Sequence, residues 1–523
     1  MSDRGESMLS GTNVWDLIVR RAEATPDADL GVDQDGRHLT FGEFRARAER
    51  VAAGLAERGV GEDTVVSWQL PTWLESMVLL GALRRLGAVQ NPILPIYRER
   101  EVGFIVQEAK PSLLVVPGEW RGFDYGAMAD QLTAGTGTQV LRCDGHGTLP
   151  EGDPATLPPP PTDDMDSPDA PVRWLYYTSG TTASPKGARH TDLTLRAASV
   201  GMSERLGLRE DDRFALVFPF THIAGSLYVY AAMAYGLTFI LDEAFDPKTT
   251  IDLLRRENVT RAGAGTFFHQ TYLKAQQELP EGEKLFPHVR SFPGGGAPKP
   301  PQLHHDIVAA FDGAGIVSGY GMTEAPIITM NHGDAPDEVL ANTEGPPVEG
   351  TTIRLVTLDG REAAVGEEGE IRVKGQQVTK GYLDPALDAE AFDEDGWFRT
   401  GDLGVLDADG NVTITGRLKD VIIRKGENIS AKEVEDLLFT HPKVADVAVV
   451  GLPDEDRGEL ACAVVVPAGD GGVTLPELTE HLLAKGLITR KLPERLELVD
   501  ALPRNPSGKI LKFELQKRFA PAG

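Results

Sequence analysis

The chain has 523 residues, 41% hydrophobic and 25% charged, an ordinary globular composition with room for roughly three domain-sized units. Its formal charge is −27, from 79 acidic against 52 basic residues, which disfavours nucleic acid or an anionic membrane as partner. Cys143 and Cys462 are the only cysteines and imply neither a disulfide framework nor a zinc site, and the polar N-terminus has no signal-peptide core, so a cytoplasmic protein, monomer or homodimer, is expected.

In chain order, amphipathic helix patterns over 41–58 and 73–86 alternate with apolar strands over 64–69 and 113–116. This alternation predicts α/β layering with largely parallel sheets. Residues 144–171, rich in Pro, Gly and Asp, read as an exposed connector. The longest uncharged stretch, 28 residues between Arg213 and Asp242, is long enough to span a membrane. Pro219, His222, Gly225 and Gly236 interrupt it, so it reads as strand (214–218), loop, buried helix (226–235) and strand (238–241). Residues 351–416 carry short strands between glycine-rich turns and form a small β-rich subdomain. Beyond it come a helix over 432–440, strands over 446–451 and 461–467, and a helix over 475–485. That is a compact α+β unit. No internal repeat is evident.

The apolar run 174–176 leads into Tyr177-Thr178-Ser179-Gly180-Thr181-Thr182-Ala183-Ser184-Pro185-Lys186-Gly187. Five hydroxyl side chains, Tyr177 among them, followed by one lysine suit a polyphosphate, whose oxygens only accept hydrogen bonds and whose charge is negative. The loop is not a P-loop, because Pro185 precedes the lysine and glycine follows it.

Four further runs offer matching chemistry. Gly294-Gly295-Gly296-Ala297-Pro298 is nearly bare backbone, where a flat base could approach. In Gly319-Tyr320-Gly321-Met322-Thr323-Glu324, Tyr320 has a stacking face, Thr323 a hydroxyl, and Glu324 a hard carboxylate oxygen of the kind Mg2+ prefers. Asp402, on the turn Gly401-Asp402-Leu403-Gly404, can accept from both hydroxyls of a ribose. Arg417 can make charge-assisted bonds to ribose or phosphate. It opens a basic cluster, Arg417, Lys419, Arg424, Lys425 and Lys432, suited to the phosphates of coenzyme A.

The hydroxyl-rich loop resembles the signature loop of the adenylate-forming enzymes, which include acyl-CoA synthetases, aryl-CoA ligases, luciferases and peptide-synthetase adenylation domains. The usual family form has glycine where this chain has Ala183. If that position needs positive φ, alanine costs about 1 kcal/mol without removing a donor. The resemblance implies a large N-terminal domain (1–418) and a mobile C-terminal lid (419–523). It implies ATP held by Thr178, Ser179, Gly180, Thr181, Thr182, Lys186, Gly296, Ala297, Tyr320, Gly321, Thr323, Asp402 and Arg417, with Mg2+ on Glu324. Lys509, near the end of Leu502-Pro503-Arg504-Asn505-Pro506-Ser507-Gly508-Lys509, matches the mobile catalytic lysine. His222 matches the residue between acyl pocket and thiol channel, Lys419 the hinge, and Gly426 and Glu427 the loop of the second half-reaction. By the same likeness His222, Tyr228, Val229, Thr266, Phe267, Met322 and Ala325 line the acyl pocket. Nothing charged among them awaits an α-amino group, so an amino acid substrate is disfavoured. Ala183 with Arg189-His190-Thr191-Asp192 resembles bacterial ligases for alicyclic and short or medium acids, and also the coronafacate ligases. The expected activity is therefore ATP-dependent acyl-AMP formation from a small carboxylic acid and transfer to coenzyme A, with an amine as the alternative acceptor.

Overall fold

A computed structural model describes residues 13–520 apart from 145–147, 168, 179–184, 298, 425–426, 455–456, 470 and 506–507. The predicted α/β layering is present, and boundaries differ from the sequence reading by a few residues. The helices are Phe41–Ala56 and Leu74–Arg85, and the strands Val65–Trp68 and Leu113–Pro117.

The first sheet has six strands in the order Lys186–His190, Trp174–Thr178, Val89–Pro92, Val65–Trp68, Leu113–Pro117 and Gln139–Cys143. Its five inner and far strands run parallel, whereas Lys186–His190 turns back antiparallel to Trp174–Thr178. The two strands that flank the hydroxyl-rich segment thus form an antiparallel pair, and the first of them ends at the C-terminal edge of a parallel sheet, the edge where open α/β sheets bind ligands. A second sheet holds Arg213–Leu216, Thr238–Leu241, Asp29–Asp33 and His38–Thr40. Single bridges from Phe214 to Arg261 and from Arg261 to Ser291 lead to a third sheet of Phe292–Gly295, Ile316–Met322 and Ala325–Met330.

Helix Leu74–Arg85 is buried at every position and touches strands of the first two sheets, so the charges it carries must be paired: Glu75 is met by Arg37 at 2.9 Å. Its Arg84 is neutralised by Asp192 at 2.6 Å. The uncharged stretch folds as expected, with helix Ile223–Tyr235 in the main core. Among the described residues no helix is long and apolar enough to cross a membrane. The connector before the signature strand is more anchored than its composition implies: Leu149 and Met165 are buried. Strands Thr351–Val356, Glu368–Gly375, Phe398–Leu406 and Val412–Arg417 make the antiparallel β-rich sheet. After the short turn Leu418–Asp420, the smaller C-terminal domain packs helices Ala431–Phe439 and Leu475–Ala484 around the long hairpin Val444–Asp454 and Gly458–Pro467.

Candidate active site

Of the signature loop the described residues are its two posts, because Ser179, Gly180, Thr181 and Thr182 lie outside them. Thr178 and Lys186 face each other as cross-strand partners, so the loop leaves and returns at one place. Tyr177 does not join the hydroxyl set. Strand alternation turns it to the opposite face from Thr178, where it is buried against Phe104.

Across the cleft, Asp402 is clamped. The Tyr320 hydroxyl donates to its Oδ2 at 2.8 Å and Arg417 Nε approaches its Oδ1 at 2.8 Å. A carboxylate has about four acceptor sites, so two remain for a diol. The motif around Tyr320 is a tight hairpin. A Cβ at Gly321 would lie 2.4 Å from the Ile327 nitrogen, so only glycine fits. Asp402, Arg417, Tyr320, Gly321, Gly296 and Ala297 all line one cavity of about 540 Å3, and so do Thr266 and Lys419. Residues from five separate sequence runs meet there.

Lys509 enters the same cavity from the C-terminal domain. Its loop is fixed by Asn505, whose side chain accepts from the Lys509 amide at 2.9 Å. Gly508 sits at φ +81 on Phe267: a Cβ there would lie 3.0 Å from Phe267 Cβ. The Arg504 guanidinium lies 5.8 Å from the centre of the Phe267 ring and is tethered by Asp446 at 2.6 Å. Burial, and then the neighbouring Arg417 charge, push the Lys509 ammonium down to about 8. Three cations, Arg417, Lys419 and Lys509, thus face one space in the presence of Asp402 and Asp420, an arrangement that an anion would stabilise.

Thr323 and Glu324 lie off this cavity, beside the signature hairpin. The Thr379 amide donates to the Glu324 carbonyl at 2.7 Å, and the Tyr382 hydroxyl donates to Glu324 Oε1 at 2.7 Å. The Thr323 carbonyl stands 2.9 Å from His190 Nε2. Burial lowers the His190 imidazole to about 4, so it is neutral and Nε2–H is the donor. Sequence reasoning assigned neither His190 nor Tyr382 to the site. Their partners are far along the chain, and spacing gives no sign of them.

The acyl-pocket residues are scattered. Tyr228 and Val229 are packed in the main core, Tyr228 against Phe214 and Phe218. Ala325 is buried and Met322 partly buried in the β-rich core, and Phe267 is in an aromatic cluster with Phe245 and Phe268. Only Thr266 of that set lines the large cavity. The described geometry therefore does not gather the expected acyl pocket, because buried helix and strand faces carry most of those side chains away from the cleft. His222 is the N-cap of helix Ile223–Tyr235, accepting from the Ala224 amide at 3.3 Å. Burial holds its imidazole at about 4. With Thr323 and Tyr176 it lines a small cavity of about 20 Å3. Gly426 lies outside the described residues, and Glu427 opens strand Glu427–Ile429.

A family model described as AMP-binding enzyme matches residues 18–383, and one described as AMP-binding enzyme C-terminal domain matches residues 433–509. The chain belongs to the AMP-binding enzyme family. Its relatives place it among the AMP-forming acid–thiol ligases, which use ATP, Mg2+ and coenzyme A. It is 31% identical over 527 residues to the medium-chain fatty-acid–CoA ligase of Escherichia coli (strain K12), covering 98% of this chain and 92% of that one. It is 32% identical to 4-coumarate–CoA ligase 5 of Oryza sativa subsp. japonica, covering 96% and 94%. Among solved structures, ATP-bound MatB from Rhodopseudomonas palustris superposes with a TM-score of 0.85 at 29% identity, covering 97% and 99%.

In this AMP-binding enzyme the groups present suit Mg2+. Among the described residues no three His, Cys, Asp or Glu side chains gather into a cage. Glu324 has Oε1 occupied by Tyr382 and Oε2 without a hydrogen-bond partner among the described residues. One carboxylate oxygen working together with substrate phosphates is the usual Mg2+ arrangement.

Proposed function

We propose that the enzyme activates an apolar short- or medium-chain or alicyclic carboxylic acid and passes it to the thiol of coenzyme A. The acid's carboxylate attacks the α-phosphorus of ATP, forming acyl-AMP and releasing pyrophosphate. The thiol then displaces AMP. Catalysis of the first step is mostly positioning and charge neutralisation.

In this reading residues 1–418 bind the substrates and residues 419–523 form the lid. Thr178, Lys186 and the loop between them hold the β- and γ-phosphates, Thr323 adds a hydroxyl, and Asp402 and Arg417 hold the ribose. Gly296, Ala297 and Tyr320 flank the adenine. Glu324 would hold Mg2+, which supplies charge neutralisation at the phosphates. Lys509 stands between carboxylate and α-phosphate, where a cation offsets the repulsion of two anions. For the second step the lid turns about Lys419, withdrawing Lys509 and bringing in the segment of Gly426 and Glu427. His222 stands where the thiol would enter.

The observation that supports this most is Lys509 lying in one cavity with Asp402 and Arg417. The apolar acid class is supported by the likeness to a medium-chain fatty-acid–CoA ligase. The test is pyrophosphate release from MgATP with hexanoate, cyclohexanecarboxylate and an amino acid as candidate acids, with coenzyme A or an amine as acceptor. Release with the first two acids and thioester formation are expected; turnover with an amine alone would overturn the thiol assignment. Lys509→Ala should lose adenylation yet still convert supplied acyl-AMP to thioester, and equal loss of both steps would count against its role.

A further inference from the structure

The backbone of Glu324 is fixed on both flanks, by the Thr379 amide and by His190 on the Thr323 carbonyl. Neither contact orients the carboxylate. Tyr382 does. It is 3% exposed, its amide donates to Asp388 Oδ1 at 2.8 Å, and it bridges to Ala188 of the signature hairpin. Its hydroxyl takes Glu324 Oε1 at 2.7 Å, and Lys186 Nζ stands 5.4 Å from the centre of its ring. One stiff side chain thus touches both the carboxylate and the signature ammonium.

We infer that Tyr382 is a positioning residue for the metal and polyphosphate end of the site: its hydroxyl occupies Oε1 so that Oε2 is presented to Mg2+, and its ring sets the direction of Lys186. This rests on the proposed reading of Glu324 as the metal carboxylate. A hydrogen bond to the non-ligating oxygen fixes a carboxylate in its binding orientation, and loss of such a partner typically weakens metal affinity about 10–100-fold. A cation over an aromatic face is likewise held in place.

The hydroxyl and the ring are separable. ATP binding to the full chain is measured by calorimetry without any carboxylic acid, once in EDTA and once across a Mg2+ titration, for the wild type, Tyr382→Phe, Tyr382→Leu and Glu324→Gln. Tyr382→Phe should match the wild type in EDTA, and its Mg2+-dependent gain in affinity should shrink about tenfold. Its adenylation rate should return at saturating Mg2+. Tyr382→Leu should also lose affinity in EDTA, because Lys186 loses its support. If Glu324→Gln abolishes the Mg2+ gain and Tyr382→Phe leaves it whole, the positioning role is wrong and the metal reading stands. If Glu324→Gln keeps the gain, the metal reading itself fails. Equal weakening of Tyr382→Phe with and without Mg2+ would mark a merely structural side chain and overturn the inference.

Discussion

Tyr320 donates its hydroxyl proton to Asp402 Oδ2 over 2.8 Å, joining the third sheet to the β-rich sheet at the large cavity. Arg417 holds the other oxygen of the same carboxylate. Asp402→Asn keeps the shape and removes the charge that both partners address. Charge-assisted bonds are worth about 1.5–3 kcal/mol each, so KM for ATP should rise by about tenfold or more, with a smaller change in kcat. Steady-state pyrophosphate release decides this, and an unchanged KM would exclude Asp402 from ribose binding.

The pH dependence of adenylation should report Lys509. The proposed mechanism uses its cationic form, and burial beside Arg417 brings its ammonium down to about 8. Therefore kcat/KM for ATP should fall as pH rises through about 8. Binding of the nucleotide anion favours the protonated form, so the inflection in kcat should lie higher. Profiles of the wild type and Lys509→Arg, whose charge persists, test this. A fall at the same pH in Lys509→Arg would assign the titration to another group.

His190 should make folding acid-sensitive. Its imidazole is held at about 4 against an ordinary value near 6.5. Between those values the unfolded chain binds a proton that the folded protein refuses, so stability falls as pH drops from about 6.5 to 4. One such group contributes a slope of up to about 1.4 kcal/mol per pH unit. Urea unfolding across that window should be flatter by about this amount in His190→Gln. An identical slope would show that His190 is charged in the folded state.

Much of this architecture was legible in the sequence, for physical reasons. Strand 238–241 is marked by its apolar run after Gly236, the helix over 41–58 by its amphipathic period, and the runs around Lys186, Tyr320 and Asp402 by residue type. What stayed hidden was partnership and direction. By residue type Tyr177 belongs with the loop hydroxyls, although period-two alternation points it away from Thr178. Tyr228 and Val229 share the apolar character of a pocket wall and of a core, and sequence does not separate the two. Tyr382 and His190 act on Glu324 and Thr323 across segments that only the folded sheets bring together.

Gly321→Ala should be severe. The added methyl would meet backbone atoms of Ile327 and Ala325, at 2.4 and 3.0 Å, which cannot swing aside as a side chain would. A loss of about 3 kcal/mol in urea unfolding is expected, together with loss of ATP binding. Wild-type stability in this variant would mean that the hairpin is looser than its geometry implies.

The seat of Gly508 on Phe267 ties the position of the lid lysine to the packing of the larger domain. The residue that follows Gly508 carries the cation, and the ring beneath it belongs to the aromatic cluster of Phe245 and Phe268. Whatever shifts that ring therefore also shifts the ammonium one residue away. Repacking of the cluster, as in Phe245→Ala, should accordingly be read in kcat, at saturating concentrations, and not from binding constants alone.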